Sequence, residues 1–169
     1  AYRVHFKHNH KSFSWANAYL MSYAALAAYD SVNKAKKRLK PLGLTKFKII
    51  SGQGRPVRFT KNLHVDSRVL VASNDKMVVV AFRGSESGTY RKFVSDWLRT
   101  DFNMYCRPWK SVGKKVCVHK GFSDAVKAVY PALRRYVSEQ SRLPRGRRKP
   151  VFVTGHSLGG AMSSVFALR

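Results

Sequence analysis

The chain has 169 residues, 44% hydrophobic and 12% aromatic, enough apolar material for one folded domain with its own core and too much for a disordered segment. It carries no run of about eighteen apolar residues that would span a membrane as a helix, and its start at Ala1 reads as processed or engineered, with no charged-then-apolar leader. The net charge of +25, from 33 Lys and Arg against 8 Asp and Glu, excludes indifference to polyanions: acidic phospholipid, nucleic acid, anionic glycan and an acidic companion chain all remain candidate partners.

From Ala1 to Lys11 the chain is basic and polar. His5, His8 and His10 lie here at a spacing that fits no standard metal site, so a solvated arm is the expectation. A long helix is predicted from Ser12, capped by Ser12 or Ser14, with Trp15, Tyr19, Tyr23, Leu26 and Ala27 on the face packed across a sheet. Residues 30–40 hold Lys34, Lys36, Lys37, Arg38 and Lys40 and read as an exposed basic helix end, stopped by Pro41 and Gly43.

Strands follow at Phe47–Ser51, Val57–Thr60, Val69–Ser73 and Met77–Phe82, the last two joined through Asn74-Asp75. Val78, Val79, Val80 and Ala81 are apolar on both faces, the pattern of a central strand. That strand empties into the polar loop Arg83-Gly84-Ser85-Glu86-Ser87-Gly88, placed where an oxyanion hole would be built. Residues 89–98 carry Phe93, Val94 and Trp97 and read either as an amphipathic lid or as an ordinary surface helix.

Cys106 and Cys117 lie eleven positions apart around Pro108 and Gly113. A bridge between them would close a short loop, contribute about 3 kcal/mol and place the chain in an oxidising compartment; two reduced buried thiols are the alternative. Residues 114–119 read as a strand with His119-Lys-Gly121-Phe122 as its exit turn. A helix comes next, with Val126, Val129, Leu133 and Val137 inward, Arg134 and Arg135 outward, and Pro131 expected to kink or restart it. The connector 141–150 is densely basic and reads as a site for cleavage after basic residues.

The last nineteen residues carry the chemistry. Val151-Phe-Val-Thr delivers Gly155-His-Ser157-Leu-Gly159, and Ala161, Met162, Val165, Phe166 and Leu168 then recur at helical spacing. This is a nucleophile elbow: strand, strained turn and helix hold the Ser157 hydroxyl clear of the sheet, and Gly155 and Gly159 let strand and helix approach closely. Ser85 and the backbone N–H of Leu158 are the candidate oxyanion donors. An elbow serine needs an acid and then a histidine later in the chain, yet no Asp, Glu or His follows Ser157.

Four motifs in order resemble the class 3 triacylglycerol lipases: residues 79–85 (Val-Val-Ala-Phe-Arg-Gly-Ser), residues 96–101 (Asp-Trp-Leu-Arg-Thr-Asp), His119-Lys-Gly-Phe122, and residues 154–160 (Thr-Gly-His-Ser-Leu-Gly-Gly). The resemblance runs from about Ser12 to Arg169. It implies one domain over 1–169 that is the N-terminal portion of an α/β-hydrolase, with a mostly parallel central sheet and flanking helices, incomplete without a C-terminal portion. It further implies hydrolysis of lipid carboxylic esters through an acyl-serine, with Ser157 as nucleophile, Ser85 and Leu158 in the oxyanion hole, and His119 and His156 as structural groups. No cofactor or metal is called for.

The expected partner is a second chain that donates Asp and His, a cleaved or split enzyme ending here at Arg169. The expected substrate is lipid at a membrane or droplet surface with anionic character, and the compartment secreted or lumenal. A lipase-derived module that has lost catalysis and binds lipid or protein is the alternative reading. A nucleic-acid binder is a third and weaker one, since the chain has charge but no recognisable nucleic-acid motif.

Overall fold

The computed structural model describes residues 6, 7, 9, 12–53, 66–84, 106–108 and 117–169. The expected strand at 57–60, the oxyanion candidate Ser85 and the lid residues Phe93, Val94 and Trp97 lie outside the described residues. Helix α1 spans Trp15–Ala27 with Ser14 in extended backbone before it, and α2 spans Val32–Leu39, its first turn capped by the Ser31 hydroxyl, which accepts from the Lys34 N–H. A 3₁₀ turn at Lys40–Leu42 ends on Gly43, whose φ of 87° is the left-handed value glycine supplies without strain.

Strands β1 (Lys46–Gln53), β2 (Asp66–Ser73), β3 (Val78–Phe82) and β6 (Val151–Gly155) form one sheet in the order β1-β2-β3-β6. Two of its pairings are antiparallel, β1 with β2 and β2 with β3; only β3 with β6 is parallel. The sheet of the described residues is therefore mixed, which corrects the expectation of a mostly parallel one. The physical reason lies at residues 74–77, too short for a crossover helix. There the Asn74 side-chain oxygen accepts the N–H groups of Lys76 and Met77 and turns the chain straight back. Strands β4 (Cys106–Pro108) and β5 (Cys117–His119) pair antiparallel as a separate ribbon.

Side-chain alternation along β2 and β3 builds two cores. Val69, Val71, Val78, Val80 and Phe82 face Ala125, Val126, Val129 and Leu133 of α3 (Lys120–Ser141) and Met162 and Val165 of α4 (Leu158–Ala167). Leu70, Ala72, Val79 and Ala81 face Leu20, Ala24 and Ala27 of α1 and Ala35 and Leu39 of α2. All five residues of β3 are buried, as expected of a central strand.

Two helices depart from expectation. The buried face of α1 is Leu20, Ala24, Ala25 and Ala27, whereas Trp15, Tyr19 and Leu26 of the predicted face are exposed. The alanines win because small side chains let the helix backbone settle close on the strands. The exit turn expected after His119 is instead the first turn of α3, since the His119 ring itself caps the helix by accepting from the Gly121 N–H at 3.1 Å. Helix α3 also runs through Pro131 without restarting. Pro131 and Lys127, whose carbonyl loses its donor there, both lie on the exposed side, open to solvent.

The basic connector is partly structural. Lys149 is buried, and its ammonium donates to the Asn74 carbonyl at 2.8 Å; the Arg148 guanidinium donates to the Ser138 carbonyl at 3.0 Å. Arg142, Arg145 and Arg147 remain exposed.

Candidate active site

At the C-terminal end of β6 the chain must reverse into α4 within two residues, His156 and Ser157. The Ser157 φ of 56° and ψ of −124° lie in a region L-residues avoid, at a cost of about 1–3 kcal/mol. Among the described residues only Arg145 shares a positive φ with it outside glycine. The Ser157 side chain is exposed, and its carbonyl accepts from the Gly160 N–H while His156 takes the Gly159 N–H, both at 2.9 Å.

The reversal is held by glycines whose missing side chains are filled by backbone. A Cβ on Gly155 would run into the carbonyl of Gly159, and one on Gly159 into the carbonyl of Phe82 at the end of β3. Strand β6, helix α4 and strand β3 thus meet backbone to backbone beneath Ser157. The Leu158 N–H stands at the first position of α4, where no intrahelical acceptor exists and the helix dipole is positive.

Gly84 brings the other loop to the same place. A Cβ there would run into the Tyr29 hydroxyl and the His156 carbonyl and stand 3.4 Å from the Ser157 Cβ. The segment leaving β3 therefore passes against the elbow one residue before Ser85.

Tyr29 is the residue that sequence reading missed. Its hydroxyl lies 3.1 Å from the His156 Nδ1, and the two rings meet edge to face at 6.1 Å between centroids. One side chain from the end of α1 thereby touches both the elbow and the glycine of the loop after β3. The signal available was slight: a polar-tipped aromatic after Ala27-Ala28. Tyr29→Phe is expected to lower stability by about 1 kcal/mol, read as a denaturant midpoint shift at constant m-value.

His119 caps α3 and lies 5.0 Å, ring centroid to centroid, from Phe122; His156 is held by Tyr29. Both have the structural roles expected of them, and the other histidines lie outside the described residues. Among the described residues no cluster of His, Cys, Asp or Glu could hold a metal ion, and no helix is long and apolar enough to cross a membrane.

The sequence profile of "Lipase (class 3)" matches residues 79–169, more than half of the chain, from β3 through the elbow helix. The chain belongs to the class 3 lipase family. The mixed sheet with helices on both faces and a strand–elbow–helix unit fits the α/β-hydrolase fold. Among solved structures the chain is similar to the Lip2 lipase from Yarrowia lipolytica, at 19% identity and a TM-score of 0.46, over 77% of this chain and 42% of that one. The chain thus spans about two fifths of the length of that lipase. A comparison with curated proteins finds no match.

Proposed function

We propose that the chain is the nucleophile-bearing part of a serine carboxylic ester hydrolase acting on lipid. The observation that carries this reading is the backbone of Ser157: an exposed hydroxyl held at φ 56° between a strand and a helix N-terminus. A turn without chemistry has no use for a non-glycine residue there, because glycine would remove the strain.

In the reaction the Ser157 Oγ attacks the ester carbonyl carbon and loses its proton to an imidazole. The oxygen that becomes negative takes hydrogen bonds from the backbone N–H groups of Leu158 and Ser85. The imidazolium returns its proton to the departing alcohol as the C–O bond breaks, leaving an acyl-serine. Water, deprotonated by the same imidazole, then attacks the acyl carbon; the acyl–Oγ bond breaks, Oγ takes the proton back from the imidazolium, and the carboxylic acid leaves. The position of Gly84 against the Ser157 side chain supports Ser85 as a donor.

The imidazole and its carboxylate come, in this reading, from polypeptide other than these 169 residues, a second chain in a cleaved or split enzyme. Two observations support it. The described histidines are committed to Tyr29 and to the α3 cap. In addition, β6 pairs on one side only among the described residues, leaving an edge that a further strand can join, with Val151 exposed beside it. Ester hydrolysis measured on residues 1–169 alone and on the complete protein tests this: turnover is expected only from the complete protein. Equal turnover by the 169 residues alone would remove the need for an external Asp and His.

A Cys106–Cys117 bridge and a secreted or lumenal location belong to the same proposal. Its support is that Cys106 and Cys117 stand on the paired strands β4 and β5, two register positions apart. Reduction under native conditions is expected to cost about 3 kcal/mol. A mass increase of two hydrogens and a lower thermal midpoint would register it; an unchanged mass would mean the thiols were already reduced.

A further inference from the structure

Helix α1 has two apolar faces, and the sheet covers one of them. On the other, Trp15, Tyr19, Ser22 and Leu26 recur at helical spacing, with Trp15 82% exposed and Leu26 51% exposed. Phe13 extends the stripe and meets the Trp15 ring edge to face at 5.0 Å. A lone exposed apolar residue is ordinary; a continuous stripe of this kind marks an interaction surface.

Helix α2 packs beside α1 on the same side of the sheet, and Lys34, Lys36 and Lys37 are exposed on it, with Lys40 following. Between residues 12 and 44 five cations stand against one acid, Asp30. That acid is already paired with Arg38 at 2.8 Å. The face thus joins rings and an aliphatic side chain to uncompensated lysines.

These two features select the occupant. A purely apolar partner would leave the lysines without counter-charge, and an acidic polymer would leave Phe13, Trp15 and Leu26 in water. The surface of an anionic bilayer satisfies both, because Trp and Tyr settle at headgroup depth while lysines reach the phosphates above them. We propose that the outer face of α1 and α2 is a docking surface for anionic phospholipid bilayers. It acts independently of Ser157, and its last stripe residue, Leu26, lies three positions before Tyr29, so the docked helix leads directly to the elbow.

The test is vesicle sedimentation of the complete protein with phosphatidylcholine vesicles, with and without phosphatidylglycerol, at low and high salt. A triple variant (Trp15→Ser, Tyr19→Ser, Leu26→Ser) and a quadruple variant (Lys34→Gln, Lys36→Gln, Lys37→Gln, Lys40→Gln) are compared with wild type. Each is expected to weaken binding to phosphatidylglycerol vesicles by about tenfold or more, and the lysine variant to flatten the salt dependence. Neither should change turnover of a water-soluble ester, and Ser157→Ala should bind vesicles as wild type does. All seven side chains are exposed, so the lysine variant stands as a second test should the triple variant fold poorly.

Vesicle binding left at the wild-type level by the lysine variant and by every folded apolar variant would overturn the proposal, as it would if completing polypeptide covers the stripe or another basic surface does the docking. Retention of an acidic protein by this face without vesicle binding would overturn it too. Vesicle binding by a protein that hydrolyses no ester would instead overturn the hydrolase reading and leave the docking surface standing.

Discussion

Replacing Ser157 with alanine in the complete protein is expected to lower kcat for ester hydrolysis by about 10⁶-fold, with KM and fold unchanged. The size of the effect follows from what is removed. Without Oγ no acyl-serine forms, and water must attack with only oxyanion stabilisation and binding to help it. The backbone consequence is small, because alanine has the same Cβ as serine and inherits the strained φ of 56°. A second substitution separates the two roles. Ser157→Gly removes the hydroxyl and the strain together, so it is expected to be as inactive as the alanine variant yet more stable by about 1 kcal/mol.

Gly159→Ala is expected to lower stability by about 3 kcal/mol or more. The new Cβ would enter the space of the Phe82 carbonyl and the Arg83 backbone. Neither can retreat like the end of a flexible side chain, since Phe82 is fully buried and paired in the sheet on both sides. Strand β3 and helix α4 would have to separate, and the turn that holds Ser157 would move with them. For a domain of this size the thermal midpoint should fall by roughly 6–12 °C. Gly160→Ala is the control: its Cβ would meet the Gly155 carbonyl at 3.3 Å, a contact eased by a few tenths of an ångström, and alanine favours the helix. That variant should remain close to wild type. A Gly159→Ala protein as stable as wild type would mean that strand and helix do not meet backbone to backbone as described.

The elements built on strong local chemistry were legible in the sequence. Val78 to Ala81, apolar on both faces, could only be a central strand, and Asn74 between two apolar runs could only turn the chain. The elbow was legible for the same reason, since Gly155 and Gly159 around a serine leave few other backbone paths. Strand direction was harder to see. The resemblance to an α/β-hydrolase implied a mostly parallel sheet overall, whereas β1 with β2 and β2 with β3 pair antiparallel, the latter through the turn at residues 74–77 that the sequence itself marks.

The face of α1 was misread because periodicity identifies an apolar stripe without saying which of two will be covered. Trp15, Tyr19 and Leu26 have more apolar surface to bury, but Ala24 and Ala27 permit the closer approach to Leu70, Val79 and Ala81. The same misreading concealed the exposed aromatic stripe. Tyr29 escaped notice for a different reason. Its contacts with His156 and Gly84 join positions more than fifty residues apart along the chain, and no local pattern encodes such a meeting. At α3, the first turn depends on the His119 ring acting as a cap, a role for which histidine is an uncommon choice.

The central claim is that the Ser157 hydroxyl is an activated nucleophile, and covalent labelling of the complete protein with a fluorophosphonate tests it most directly. The account predicts one adduct per chain, mapped by tandem mass spectrometry to the peptide containing Ser157 and lost in Ser157→Ala. An unlabelled protein, or an adduct that maps elsewhere and persists in Ser157→Ala, would contradict it.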